Sequence, residues 1–364
     1  MTTTTVASFE IKHHQYLDAD GRPTQELPDF AKDMDKMRQL YRDMAQLRAF
    51  DAKTYALQRT GKMGTYPASL GQEAIGIGYG DCLTAEDVIV PYYRSTGGVL
   101  KHGVTMKEIL QYWGGDEGGS DYSVAKEDFP ICVPIGNQII HASGVAKAIQ
   151  IRKQKRAVIT EIGEGGTSEG DFYEGINVAG VWNLGVVFMV NNNQWAISVP
   201  SEIQTACQTY AQKAIAAGIE GIQVDGNDII AVRQIAEYAL EKARNGGGPT
   251  LIESVTYRLC DHTTADDASR YDDKTIKDDA WTKEPMIRLR KYLEANNAWS
   301  NEDEEKMSAE IAKEIEAAVE EYQAIPKPGP ELMFDHLYAE LPEMTKPQRE
   351  EAIARYQKQA GGAK

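Results

Sequence analysis

The chain has 364 residues, of which 42% are hydrophobic, and a formal charge of −16 at neutral pH. It is long enough to bury a large core in one big domain or two; no apolar run approaches the roughly 18–20 residues that a membrane helix needs, and the acidic balance argues against broad nucleic-acid binding. Residues 1–5 lack the basic-then-apolar layout of a secretion signal, and the four scattered cysteines, Cys82, Cys132, Cys207 and Cys260, read as free thiols of a reducing cytoplasm.

Residues 1–30 read as an arm, broken by a turn cluster over 18–23 and by Pro28, and either disordered or draped over a neighbouring chain. A helix is predicted from near Asp29 to near Thr60, with Met37, Leu40, Met44, Leu47 and Tyr55 close to one face. A loop over 62–73 runs into a new helix. Residues 88–95 (VIVPYYRS) read as a strand ending in Tyr93 and Arg94. Arginine offers planar, bidentate contacts to phosphate and a phenol adds a neutral hydrogen bond; alone, such a pair is usually surface chemistry. The acidic, glycine-rich stretch 113–121 is a loop without the Gly-Lys-Ser/Thr of a P-loop. Residues 131–138 (ICVPIGNQ) lead into a helix carrying Ala142, Gly144 and Ala146, small enough for close approach inside the fold or to another subunit.

The central stretch, 156–200, is the most informative. Ala157–Ile162 is a buried strand by its apolar and β-branched run. Gly163, Glu164, Gly165 and Gly166 break it, and Thr167 and Ser168 are good N-caps for the helix that follows. Phe172, Ile176, Ala179 and Trp182 give that helix one apolar face, and Gly185 ends it. Val186–Val190 is a second strand, of the kind found in parallel sheets, and runs into Asn191-Asn192-Asn193. A right-handed strand–helix–strand unit presents both strand ends on one sheet edge. Glu164 therefore meets the asparagines in space. A carboxylate with an amide oxygen is a hard ligand set, suited to magnesium or calcium. The N–H groups of Gly163, Gly165 and Gly166 at the helix start suit a phosphate. The expected guest is a magnesium diphosphate, against the plainer reading of a βαβ unit with a polar turn.

Further strands are predicted over Ile222–Asn227 and Thr250–Tyr257, joined by a helix that Asp228 caps and that runs to about Arg244. A charged loop, 258–272, follows the last strand and holds His262. A histidine there can donate to a phosphate or carbonyl oxygen and moves its proton near neutral pH. Beyond it, Ser300 and Asp303 open a helix with the stripe Met307, Ile311, Ile315, Val319 and Tyr322, which Pro326, Pro328 and Pro330 end. A short closing helix over 331–341 and a loose tail from Gln357 complete the chain.

The glycine-acid-glycine turn, the helix and the double asparagine resemble the signature of thiamine-diphosphate enzymes. From about Tyr16 to Tyr356 the chain is similar to the alpha subunit of the decarboxylating first component of 2-oxo acid dehydrogenase complexes. The resemblance implies that Glu164, Asn193 and the backbone carbonyl of Trp195 bind magnesium; aspartate is the commoner acid, and glutamate occurs among branched-chain members. It implies that Tyr93 and Arg94 hold the cofactor diphosphate, that Ile135 props the bent cofactor, that the Val133 backbone lies beside its aminopyrimidine ring, and that His262 acts in catalysis. Tyr66 falls near the family's active-site mouth, or packs. Asp266, Asp267, Arg270 and Tyr271 are expected to hold the His262 loop. Asp272 stands where many members have arginine, and Thr263 stands near where animal relatives carry a regulatory serine.

The implied fold is α/β: a parallel sheet flanked by helices on both faces, the thiamine-diphosphate-binding fold, with helical N- and C-terminal extensions. The expected organisation is an arm over 1–30, the α/β domain over 31–272, a helical extension packed on it over 273–345 and a tail over 346–364. The implied activity is that of a pyruvate dehydrogenase alpha subunit, cytoplasmic, working with a beta subunit in an α2β2 heterotetramer and passing the acyl group of a small 2-oxo acid to a lipoyl-bearing acyltransferase. No glutamate of this chain matches the one that activates the cofactor, which in the family belongs to the beta subunit. Branched-chain 2-oxo acids and acetoin remain alternative substrates. A nucleotide-binding α/β protein or a non-catalytic scaffold remain alternative functions, although Ser168 stands where a dinucleotide-binding Gly-x-Gly-x-x-Gly needs its third glycine.

Overall fold

A computed structural model describes residues 2–361. It has eight strands among the described residues: β1 (Lys12–His14), β2 (Val88–Val90), β3 (Val158–Gly163), β4 (Val186–Asn192), β5 (Trp195–Ala196), β6 (Val199–Pro200), β7 (Glu220–Asp225) and β8 (Thr250–Val255). Six form one sheet in the order β1-β7-β8-β4-β3-β2, every pair parallel, and β5 and β6 form a small antiparallel ribbon. β4 is buried along its whole length, as its unbroken apolar run predicts for a central parallel strand.

Helices cover both faces. The helices Asn137–Ile151 and Gly170–Val181 place Ile139, Ala142, Ala146, Phe172, Ile176 and Ala179 against Val158, Ile162, Val186, Phe188 and Val190. The helix Ile229–Arg244 packs on β4, β7 and β8, and beside it lies Glu73–Gly80. Each fully buried large apolar side chain contributes about 1.5–3 kcal/mol of transfer free energy, so these layers fix the sheet beneath the site.

The register sets where function can sit. Gly163 of β3 lies opposite Asn191 of β4, and Asn192 of β4 opposite Val255 of β8. The glycine turn, the asparagines, the loop after β8 and the Tyr93-Arg94 turn after β2 therefore all leave at the carboxyl edge, where ligands bind in open parallel sheets.

Several expectations need correction. Part of the arm is neither disordered nor draped elsewhere: β1 adds to its own sheet beside β7, and the N–H groups of Tyr16 and Leu17 donate to the buried Asp228 carboxylate at 2.6 and 2.7 Å. The long first helix is two, Asp29–Lys32 and Met34–Arg59. Asp33 interrupts it in an extended conformation and caps the second, accepting from the N–H groups of Asp35 and Lys36. The strand expected over 88–95 stops at Val90, because Pro91 cannot continue a ladder.

The C-terminal helices run Lys274–Trp281, Pro285–Ala295 and Asn301–Gln323, the last with Met307, Ile311, Ile315 and Val319 buried. Tyr41 donates to Glu304 and Arg42 pairs with Glu314, so residues of this extension join the helix Met34–Arg59. The chain divides into two compact units between Val319 and Glu320. The second unit holds a short helix, Leu332–Asp335, within the expected 331–341, and a longer one, Lys346–Gly361. Residues 346–361, expected as a tail, are thus helical. Pro347 suits a first helical turn, and Arg349 grips Asp335 at 2.6 and 2.9 Å. The end of the expected tail, 362–364, and Met1 of the arm lie outside the described residues. Among the described residues no helix is long and apolar enough to cross a membrane.

Candidate active site

The glycine turn folds as a single 3-10 turn, Glu164–Ser168, before the helix Gly170–Val181. Its glycines are there for different reasons. A Cβ on Gly165 would lie 2.4 Å from the Ala196 Cβ, and one on Gly166 would lie 2.7 Å from Ile162 Cγ1 and 3.0 Å from Ile135 Cγ2. Close approach excludes any larger residue at both. Gly163 faces open space, which leaves its backbone accessible.

A cavity of ≈ 140 Å³ opens at this edge. Its wall includes Tyr93, Arg94, Ile135, Gly163, Gly165, Gly166, Asn193, Trp195 and His262, so nine of the residues singled out from the sequence meet there. Val133 is half exposed and outside the wall, flanked by Cys132 and Pro134, which line it. Glu164 lies beneath the wall, almost fully buried. Tyr66 is buried too: its hydroxyl donates to Asp51 and its ring packs edge-on against Phe50 and Trp113, so it belongs to the packing.

Glu164 and Asn193 converge. The Asn193 N–H donates to Glu164 Oε2 at 3.3 Å, and the Trp195 N–H donates to Asn193 Oδ1 at 3.2 Å. Gln72 Oε1 accepts from Asn193 Nδ2 at 3.0 Å, which aims the amide oxygen. Gln194, at φ +71°, bends the chain sharply between them, a conformation that non-glycine residues rarely adopt. Desolvation pushes the Glu164 carboxyl up to about 8, with the N–H groups of Glu164, Asn193 and Trp195 and the Arg258 charge pulling the other way. Glu164 Oε1 is buried with no hydrogen-bond partner, and so are Gln72 Nε2 behind Asn193 and Gln138 Oε1 of a residue in the cavity wall. Buried polar atoms are almost always satisfied. An acid oxygen left over in contact with Asn193, whose amide oxygen still has a free lone pair, fits a hard cation.

On the other side sit two arginines and the histidine. Arg94 Nη2 and Arg258 Nη1 each lie 3.4 Å from His262 Nδ1. A guanidinium has no acceptor, so Nδ1 accepts and Nε2 carries the ring proton. Burial, then the charges of Arg94 and Arg258, lower the His262 pKa to about 3, against the pull of Asp266. This corrects the expectation of a proton moving near pH 7: His262 is a fixed neutral donor here. Arg94 also donates to the carbonyls of Ala68 and His262, and Arg258 to those of Ile197 and Cys260 and to the Tyr271 hydroxyl. None of these partners is a carboxylate: Asp51 acts on Arg94, and Glu164 and Asp266 on Arg258, through space and without a direct ion pair, so the two buried cations keep donors free for an anion.

The loop is held by the residues expected from its sequence. Asp266 accepts from the His262 N–H at 2.9 Å and from the Tyr271 hydroxyl, and Arg270 pairs with Asp267 at 3.3 Å. Asp272 accepts from Tyr257 and pairs with Lys277. The sequence reading missed Arg258, Gln72 and Gln138 as site residues. Arg258 opens the same loop as His262, four residues before it, and that spacing was the one available signal.

The dehydrogenase E1 component family matches residues 41–331. The chain is 40% identical over 309 residues to the pyruvate dehydrogenase E1 component subunit alpha of Bacillus cereus, covering 85% of this chain and 83% of that protein. It is 38% identical to the same subunit of Bacillus subtilis, covering 90% and 89%. It is also 38% identical over 352 residues to a 3-methyl-2-oxobutanoate dehydrogenase subunit alpha of Mycobacterium tuberculosis, covering 95% of each. A parallel sheet with its switch-edge cavity, a match over most of its length and relatives at this identity together mean that the chain belongs to the dehydrogenase E1 component family, the thiamine-diphosphate-dependent oxidoreductases of 2-oxo acids.

Proposed function

We propose that this chain is the alpha subunit of a 2-oxo acid dehydrogenase acting on pyruvate, and that it supplies the diphosphate half of the active site. One observation carries the site: the unpartnered, buried Glu164 oxygen beside Asn193, with two buried guanidiniums that make no direct carboxylate pair at the His262 ring.

In this reading Glu164, Asn193 and the Trp195 carbonyl hold magnesium. The N–H groups of Gly163, Gly165 and Gly166, with Tyr93 and Arg94, hold the diphosphate. Thiamine diphosphate supplies the carbanion that adds to the keto carbon and the electron sink that lets carbon dioxide leave. Ile135, half exposed at the cavity wall, gives the cofactor an apolar rest, with the Val133 backbone beside it. His262 orients a substrate or cofactor oxygen through its Nε2 proton. Ligand sites usually occupy about 300–1,000 Å³, and the smaller cavity here supports a site completed by another chain. Ala142 and Ala146 of the helix Asn137–Ile151 face the core, and the exposed Gly144 and Ala148 on its other side suit contact with a beta subunit in an α2β2 assembly. A lipoyl-bearing acyltransferase would then accept the acyl group. Four unpaired cysteines fit a reducing, cytoplasmic setting.

The test is an assay of the chain with its beta subunit, thiamine diphosphate and magnesium on pyruvate and on 3-methyl-2-oxobutanoate. Faster decarboxylation of pyruvate is expected. Preference for the branched acid would move the assignment to the relative named for that substrate, and turnover of neither would overturn the reading.

A further inference from the structure

Lys213 lies outside the cavity wall, on the short helix Lys213–Ala216, and only 5% of it is exposed. Its ammonium is enclosed by the rings of Phe172, Tyr173 and Tyr210, at 5.8, 5.3 and 5.4 Å from their centroids. Its hydrogen bonds go to one residue, Thr167: to the carbonyl at 3.0 Å and to Oγ1 at 2.8 Å. Neither acceptor is a carboxylate. Burial without a counter-ion is unfavourable, and a methionine of similar length would avoid that penalty.

The direction of the chain of bonds is fixed by chemistry. An ammonium can only donate, so Thr167 Oγ1 accepts from it and must turn its own proton elsewhere. It donates to the Glu164 carbonyl at 2.6 Å. Lys213 thus holds the turn Glu164–Ser168 at two points, its penultimate residue directly and its first through one hydroxyl. That turn carries Glu164 and the N–H groups of Gly165 and Gly166.

We propose that Lys213 is a positioning residue that, through Thr167, locks the glycine turn in the shape that grips a magnesium diphosphate. The inference rests on the cofactor reading above. Lys213 itself touches neither ion nor phosphate. It uses its charge to hold a segment whose own glycines leave it loose.

The experiment is calorimetric titration of the chain assembled with its beta subunit, using thiamine diphosphate at a series of magnesium concentrations. Lys213→Met should weaken cofactor binding about 10- to 100-fold, as for loss of hydrogen bonds from a charged donor, and raise the magnesium needed for half-saturation. The thermal midpoint without cofactor should be unchanged or higher. Thr167→Val should give the same loss, and the double variant no more than either single one, because both break one chain of bonds. Wild-type affinity in Lys213→Met or Thr167→Val, or losses that sum in the double variant, would overturn the inference alone. Should Lys213→Met not fold, Thr167→Val decides by the same criterion. A wild-type assembly that binds no thiamine diphosphate overturns the cofactor reading and this inference together.

Discussion

Arg94 donates from Nη2 to the backbone carbonyl of His262 at 3.0 Å, joining residues 168 positions apart. The turn after β2 and the loop after β8 thereby become one wall. The same guanidinium faces the His262 ring nitrogen, so the arginine that holds the loop also adds its charge to the burial that keeps the histidine neutral.

His262 should therefore stay neutral across the working pH range. Ring nitrogen NMR of the cofactor-free chain is expected to show a proton on Nε2 and no titration from pH 8 to 5; a midpoint near 6.5 would contradict the arrangement. The sign for stability follows. The unfolded chain takes up this proton near pH 6.5, the folded one only near 3. Falling pH thus removes stability through that window, and His262→Asn should flatten the slope in pH-dependent unfolding. Loss of a fixed donor lowers turnover by about 10²–10³-fold in comparable sites, which a His262→Ala assay would read.

Glu164 gives the opposite slope. Its folded pKa is about 8 against an ordinary 4.5, so the folded chain keeps its proton longer than the unfolded one. Without a cation, stability contributed by that carboxyl is full below about pH 4.5 and is lost as pH rises toward 8. A cation needs the ionised form, so magnesium-dependent cofactor binding should tighten as pH rises to about 8 and release a proton. Calorimetry in buffers of different ionisation enthalpy measures that proton. Glu164→Gln should abolish both the proton release and the magnesium dependence, and raise the cofactor-free thermal midpoint above pH 8.

Much of this was readable from the sequence where one segment carried its own pattern. β3, the glycine turn, the helix and β4 are contiguous, and their apolar runs and breakers fix the edge at which Glu164 and Asn193 meet. β1 was hidden because Lys12-His13-His14 is polar and pairs by backbone alone. The helix Lys346–Gly361 was hidden by its even polarity, with Pro347 as its one start signal. Gln72 reaches Asn193, and Lys213 reaches Thr167, through single long side chains from distant segments, and nothing local marks such a contact; Arg258 had only its spacing to His262. His262 was found by position, but its neutral state depends on burial and on two guanidiniums brought from different loops.

Gln72 illustrates that long-range class and carries its own prediction. Its Oε1 holds the Asn193 amide at 3.0 Å, which leaves Oδ1 toward the Trp195 N–H. Gln72→Leu keeps the volume and removes the acceptor. Residues that orient ligands of a metal are typically worth about 10–100-fold in affinity. Magnesium titration in the presence of thiamine diphosphate should show a loss of that size; an unchanged affinity would mean that Asn193 needs no such guide.

The glycines of the turn should separate cleanly by substitution. Gly163 has no neighbour within 4 Å of a built Cβ, and its φ of −70° is open to any residue. Gly163→Ala should leave the thermal midpoint within the shift expected for about 0.5 kcal/mol, as for surface substitutions. Gly165 has the Ala196 Cβ at 2.4 Å, so an added methyl must displace the β5–β6 ribbon that carries Trp195. Overpacking of that kind costs about 1–3 kcal/mol. Because the ribbon and the glycine turn face each other across the site, Gly165→Ala should lose cofactor affinity as well as stability, and Ala196→Gly in the same chain should restore part of both. Denaturant unfolding and cofactor titration of the three variants read this directly: equal losses at Gly163 and Gly165, or no recovery with Ala196→Gly, would mean that the close contact with Ala196 does not shape the turn.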